Sequence, residues 1–127
     1  MTDDYSVLVG GDRAAGGRGT YDIVNPATEE VVGRAPEVSV DQVDAATRAA
    51  AEAFAAWSRT SPQHRSELLA RLADILDGQS ERLVPLVQAE TGATLQVAKT
   101  MQVPQTIDRF RRYARGALEP VTIPLPP

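Results

Sequence analysis

Residues 20–38, TYDIVNPATEEVVGRAPEV, run directly into residues 39–57, SVDQVDAATRAAAEAFAAW, and this stretch decides how the rest of the chain is read. Thr20 to Val24 alternates, with Tyr21 and Ile23 on one face and Thr20, Asp22 and Val24 on the other, the period of a half-buried strand. Asn25-Pro26-Ala27-Thr28 supplies turn chemistry: Pro26 presets φ, and the Asn25 side chain accepts from its own downstream backbone. Val31 to Ala35 returns as a second strand, and Pro36 limits further pairing. Ser39 with Gln42 three residues on is the signature of a capping box. Asp41 and Asp44 then fall where a helix dipole favours negative charge. Val43, Ala46, Ala50, Phe54 and Trp57 recur at helical spacing and predict one continuous apolar stripe.

Working outward, Tyr5 to Val9 is β-prone and GGDRAAGGRG (residues 10–19) reads as a hairpin or flexible loop. Its glycines lack the G-x-G-x-x-G spacing, and no helix follows whose N-terminus would hold a phosphate. Downstream, Ser61-Pro62 starts a second helix, with proline at the first position, where its missing N–H is harmless. Leu68, Leu69, Leu72, Ile75 and Leu76 form its stripe, which ends at Gly78. His64, in the first turn with no second histidine or cysteine near it, reads as an exposed or capping residue. Ser80 is positioned to cap a third helix that Pro85, near its start, bends or displaces and that Gly92 closes. A last helical stretch begins near Thr94, is interrupted at Pro104 and resumes through Ile107, Phe110 and Tyr113 to Gly116. The end, LEPVTIPLPP, is extended, with Val121 to Ile123 as a candidate strand; a compact domain rarely ends so, and the chain reads as the middle of something longer.

Composition narrows the function classes. The 127 residues are 43% apolar and 24% charged, ordinary for a globular chain. The net charge of −4 argues against a nucleic-acid or anionic-membrane partner. Arg109, Arg111, Arg112 and Arg115 form the one local basic cluster, read as a solvated helical face. The absence of cysteine excludes disulfides, thiolate metal sites and cysteine nucleophiles within these residues. No apolar run approaches the ~18 residues of a membrane span, and the acidic start MTDDYSVLV lacks the order of a signal peptide. A cytoplasmic protein is expected. Two short hairpin strands followed by helices is an α+β order, in one unit spanning 1–127. The stripes on three or four helices exceed what these strands cover, so another element, from the same polypeptide or a partner, is expected to cover them.

The run Gly19-Thr20-Tyr21-Asp22-Ile23-Val24-Asn25-Pro26-Ala27-Thr28, followed by Glu30-Val31-Val32-Gly33, resembles the amino-terminal segment of the NAD(P)-dependent aldehyde dehydrogenase superfamily. Residues 39–46 with Ala53-Phe54-Ala55-Ala56-Trp57 resemble that family's first helix. Arg65 with Leu68-Leu69 and residues 72–76 resemble its second. Glu90-Thr91-Gly92 matches an acid-Thr-Gly corner, and Arg112-Tyr113-Ala114 the helix that precedes an oligomerisation hairpin. The resemblance covers residues 5 to 125, and six pieces in order and spacing make it specific.

That resemblance implies a fragment of a Rossmann-like α/β fold roughly four times this length: a lead-in strand and loop at 1–18, a hairpin at 19–36, helices over 39–116 and the extended start of an oligomerisation hairpin at 117–127. It implies aldehyde oxidation to the acid through a cysteine, with NAD or NADP as acceptor. The catalytic and cofactor residues of the family lie beyond the equivalent of Pro127, so none is assigned here. One site transfers: the carbonyls of Ile23 and Val24 and the carboxylate of Glu90 correspond to ligands of a structural sodium or potassium ion, a hard cation that takes oxygen donors. A further ligand would come from outside these residues, and the alternative is that Glu90 caps or pairs near a helix end. The expected partners are the remainder of such a chain or a homo-oligomer partner. The leading expectation is a catalytically silent portion of an aldehyde dehydrogenase; the alternative is an interaction module that kept the scaffold. The sequence holds no paired acids, nucleophile with its base or metal cluster that would make it an enzyme of another kind. The aldehyde and the choice between NAD and NADP are not legible.

Overall fold

The computed structural model describes residues 6–120. Tyr5 and the candidate strand Val121 to Ile123 lie outside the described residues. The chain divides into two compact units, one of Met1–Arg59 with Leu86–Ala93, the other of Thr60–Pro85 with Thr94–Pro127.

The first unit holds two antiparallel strand pairs and a long helix. β1 (Val7–Val9) pairs with β2 (Asp12–Ala14), and β3 (Thr20–Val24) with β4 (Val31–Pro36). Gly10 and Gly11, at φ +61° and +98°, make a two-residue hairpin turn between β1 and β2. The strand β2 was not foreseen, because Asp12–Ala14 is exposed throughout and carries no apolar alternation. The Asn25 turn forms as its chemistry dictates: the Ala27 N–H donates to Asn25 Oδ1 at 2.9 Å, and the Asn25 N–H closes the loop on Glu30 O at 2.9 Å.

Helix α1 (Val40–Trp57) begins in a complete capping box. Ser39 Oγ accepts from the Gln42 N–H at 3.3 Å, and Gln42 Oε1 accepts from the Ser39 N–H at 3.1 Å. Asp41 is in its first turn, whereas Asp44 falls just beyond it. The side of α1 that packs is built on small residues: Ala45, Ala46 and Ala49 are half-buried, and Ala49 Cβ lies 3.6 Å from where a Cβ on Gly10 would be. Most of the predicted stripe is uncovered, with Phe54 64% and Trp57 46% exposed.

The second unit contains the buried core found among the described residues: Ala73, Ala98, Val103, Ile107 and Ala114. Helix α2 (Pro62–Gly78) packs on α5 (Val103–Gly116). α2 starts as expected, Ser61 Oγ accepting from the His64 N–H at 3.1 Å, and Arg65 braces that start by donating to Thr60 O at 2.8 Å. Its least exposed line runs through Leu69, Ala73 and Leu76, so the leucine stripe splits: Leu68, Leu72 and Ile75 stand to the exposed side. The smallest residue sits at the middle of the contact, where it lets two backbones approach.

Helix α3 (Ser80–Thr91) follows after a single residue, Gln79, and its parts 80–85 and 86–91 fall in the second and first units. Ser80 does not cap it. Gln79 O accepts from the Arg82 and Leu83 N–H groups, which places Ser80 inside the helix, its hydroxyl directed back to Leu76 O at 3.5 Å. Pro104 does not interrupt the last helix either. A one-turn α4 (Leu95–Val97), capped by Thr94, widens into a π-helical turn (Ala98–Gln102) and continues as α5, with the Val103 N–H reaching Ala98 O. A proline cannot donate to the carbonyl four residues back; opening the helix by one residue just before it lets the chain continue. Among the described residues no helix is long and apolar enough to cross a membrane.

Candidate functional site

The part of the first unit that gathers the residues singled out in sequence is the end of β3, the Asn25 turn and the C-terminus of α3. At the end of β3 the ladder is irregular: Ile23 pairs with Gly33 and Val24 with Val31, leaving Val32 as an extra residue on β4. A bulge of this kind disrupts the ladder and re-aims backbone groups. The following loop is tied by the Asn25 hydrogen bonds and by Glu29, held at φ +61° with its N–H on Asn25 O at 2.8 Å.

Onto this turn packs the corner Glu90-Thr91-Gly92. α3 ends at Thr91, whose hydroxyl donates to Val87 O at 2.6 Å, and Gly92 at φ +67° closes the helix by donating to Gln88 O at 2.9 Å. A Cβ on Gly92 would lie 2.8 Å from Pro26 Cγ and 3.2 Å from Ala27 N. The structure therefore brings the acidic corner against the turn that ends the strand of Ile23 and Val24. The Glu90 carboxylate is exposed and makes no ion pair or hydrogen bond among the described residues, so it does not pair near the helix end. Carbonyls at an irregular strand end and an unpartnered carboxylate are the donor chemistry of a hard cation. Among the described residues no cluster of three His, Cys, Asp or Glu side chains stands ready for a transition metal.

The glycine-rich loop is more fixed than its composition suggests, and Gln42 is the reason. Besides the capping box, Gln42 Oε1 accepts from the Gly17 N–H at 2.7 Å and its Nε2 donates to Ala15 O at 2.8 Å. A Cβ on Gly16 would meet Glu37 O and Gly19 O at 2.6 Å, and one on Gly17 would meet Ser39 Oγ at 2.8 Å. The Arg18 N–H donates to Glu37 O at 3.0 Å and the Gly19 N–H to Gly16 O at 3.2 Å. With these amides already engaged, the loop does not fit a dinucleotide pyrophosphate, which needs free backbone donors converging on it. Sequence reasoning missed this role of Gln42; the cap was legible, but its second set of partners lies 25 and 27 residues away.

The four arginines of α5 separate. Arg111 donates to Asp77 at 2.7 Å and approaches Asp74 at 3.6 Å and Asp108 at 4.0 Å. The hydrogen bond that Arg111 donates to Asp77 is the chief cause of its pKa rising above the ordinary guanidinium value. The cluster is thus not uniformly solvated: one member ties α5 to α2, while Arg109, Arg112 and Arg115 remain exposed.

Comparison with known proteins gives one family throughout. Residues 13–122 match the aldehyde dehydrogenase family. The 2-aminomuconic semialdehyde dehydrogenase of Homo sapiens is 39% identical over 97 residues, which is 76% of this chain and 20% of that protein. The mitochondrial aldehyde dehydrogenase of Leishmania tarentolae is 35% identical over 108 residues, 85% of this chain and 22% of that one. Among solved structures, aldehyde dehydrogenase C of Pseudomonas syringae, complexed with NAD+ and octanal, superimposes with a TM-score of 0.87 at 32% identity over 94% of this chain and 25% of its own. The chain thus spans about a fifth of the length of the curated relatives it matches.

Proposed function

Because the chain belongs to the aldehyde dehydrogenase family, we propose that it is the amino-terminal portion of an NAD(P)-dependent enzyme oxidising an aldehyde to its carboxylic acid. The observation that carries this reading is the asymmetry of coverage: most of this chain is matched, against less than a third of its relatives. Its own residues supply scaffold. The hairpin β3–β4, the corner at Gly92 and the α2–α5 pair are tied by internal hydrogen bonds and packing, while the apolar side of α1 is left for the remainder of the polypeptide, or a homo-oligomer partner, to cover.

Alone, the chain is catalytically silent on this reading. Oxidation through a thiohemiacetal requires a thiol, and these residues contain no cysteine. Binding of NAD or NADP belongs to the complete protein, since the one glycine-rich loop here has its amides engaged. A sodium or potassium ion at Ile23, Val24 and Glu90 would offset the acidic corner and fasten it to the strand end, with a further ligand from the remainder of the protein.

The test is an assay of the purified chain with aliphatic, aromatic and semialdehyde substrates and either coenzyme. No reduced nicotinamide should form with any pair. Turnover by the chain alone would overturn the scaffold reading.

A further inference from the structure

Asp77-Gly78 is the one Asp-Gly pair in the sequence, and it stands at the last two positions of α2. In such a pair no side chain hinders the glycine nitrogen on its way to the aspartate carboxyl group, and glycine resists least the backbone change that the approach requires. Open space lies where a Cβ on Gly78 would be. The helix also ends here. Gln79, at φ −101° and ψ 5°, has left helical geometry, and its N–H closes on Leu76 O at 3.1 Å, the three-residue spacing of a tightening last turn. Such ends open at little cost in free energy. The Asp77 side chain is 53% exposed, so water reaches it. One contact opposes reaction: Arg111 Nη2 donates to Asp77 Oδ2 at 2.7 Å and ties the carboxylate to α5.

We propose that Asp77 is a site of isoaspartate formation, and that Arg111 guards it by tethering the carboxylate away from the Gly78 nitrogen. In the first step the Gly78 nitrogen bonds to Asp77 Cγ. Its proton and the carboxyl hydroxyl leave as water, and a succinimide ring closes. Water then opens the ring at the former backbone carbonyl, so that the chain runs through the side chain of residue 77; opening at the other carbonyl restores aspartate. No oxidant or further reactant is needed. The isoaspartyl product carries one more methylene in its backbone and a carboxylate closer to the main chain, so the tie from α2 to Arg111 is not kept. This modification is independent of the aldehyde chemistry proposed for the complete protein.

The purified chain is held for weeks at physiological temperature and pH, and isoaspartate is located by peptide mapping with electron-transfer fragmentation, which tells it from aspartate. It is expected at position 77 ahead of any other aspartate, and Gly78→Ala should suppress it. Arg111→Gln should speed its formation about two- to fivefold, the factor that a partly exposed ion pair is worth. Arg112→Gln removes a neighbouring guanidinium with no ion pair among the described residues, and should leave the rate unchanged. Hydrogen exchange of the Gln79 amide should be alike in the unsubstituted chain and in Arg111→Gln. A rate that rises only in proportion to that exchange would assign the protection to helix closure and overturn the role of Arg111. Absence of isoaspartate at 77 from both chains, or faster formation at another aspartate, would overturn the site.

Discussion

Gly92 lies so close to Pro26 that a Cβ at position 92 would stand 2.8 Å from the proline Cγ. This contact fastens the end of α3 to the turn after β3, and it needs glycine twice, for space and for a φ of +67°. Gly92→Ala is expected to lower stability by about 2 kcal/mol, from the left-handed backbone together with the clash. Gly92→Asn separates the two causes: asparagine tolerates the backbone better but brings the same Cβ. If Pro26→Ala in the Gly92→Ala background restores nothing in a urea titration, the steric half of the argument is wrong.

Gln42 joins two backbone groups, the Gly17 N–H and Ala15 O, besides its own capping partner Ser39. Gln42→Ala should cost about 1–2 kcal/mol, since it removes half of a capping box and the acceptor of the Gly17 N–H. Hydrogen exchange gives the more specific readout: the Gly17 amide should lose protection, while amides in the middle of α1 keep theirs. Gln42→Glu retains the acceptor at 2.7 Å from Gly17 and loses only the donor to Ala15 O, so an intermediate effect is expected.

The helix pair of the second unit turns on position 73, which is fully buried. Ala73→Leu should destabilise by about 1–3 kcal/mol through overpacking, and Ile107→Ala by about 2–5 kcal/mol through a cavity. Ile75→Ala, on the exposed side of α2, should stay within about 0.5 kcal/mol in this chain. Thermal or urea unfolding of the three variants decides the phase of α2: equal losses at 75 and 107 would put the packed face on the leucines.

What the sequence made legible follows the range of the interactions. Ser39 with Gln42, Asn25 with Ala27, Ser61 with His64 and Gly92 after Thr91 are local devices, each closed within a few residues, and all form as their chemistry predicts. Ser80 and Pro104 were misread because each is a local signal with two solutions. A serine near a helix start either caps or donates to the preceding turn, and a proline either breaks a helix or is met by a π turn. The tether from Gln42 to the loop, and the choice of Ala73 over Leu72 for the α2–α5 contact, depend on partners 25 to 40 residues away and have no local signature. At the candidate cation site, the acid and the strand end were proposed through family resemblance; the packing of Gly92 on Pro26, which sets the acidic corner against the turn after β3, had no local signature.

A monovalent cation at Ile23, Val24 and Glu90 should be visible as stability. The melting temperature in potassium or sodium chloride is expected to exceed that in tetramethylammonium chloride of equal ionic strength, the increment growing as the logarithm of cation concentration above the dissociation constant. Glu90→Gln should remove the difference without altering the tetramethylammonium value. A difference that survives Glu90→Gln would assign it to general salt effects.

The exposed side of α1 makes a prediction of different magnitude in two contexts. Phe54 is 64% exposed in this chain, so Phe54→Ser removes little burial and should cost less than about 1 kcal/mol here. It should also reduce the binding of a hydrophobic dye, because the residue belongs to an apolar stripe with Val43 and Trp57. If the remainder of a complete polypeptide covers the same stripe, as proposed, the substitution should cost about 3–5 kcal/mol there. Trp57, the one tryptophan, reports the same change optically: its emission should lie toward the red in the chain alone and shift to the blue in the complete protein. A small loss and red emission in both contexts would mean that α1 faces solvent throughout, and the covering role assigned to the remainder of the polypeptide would have to be given up.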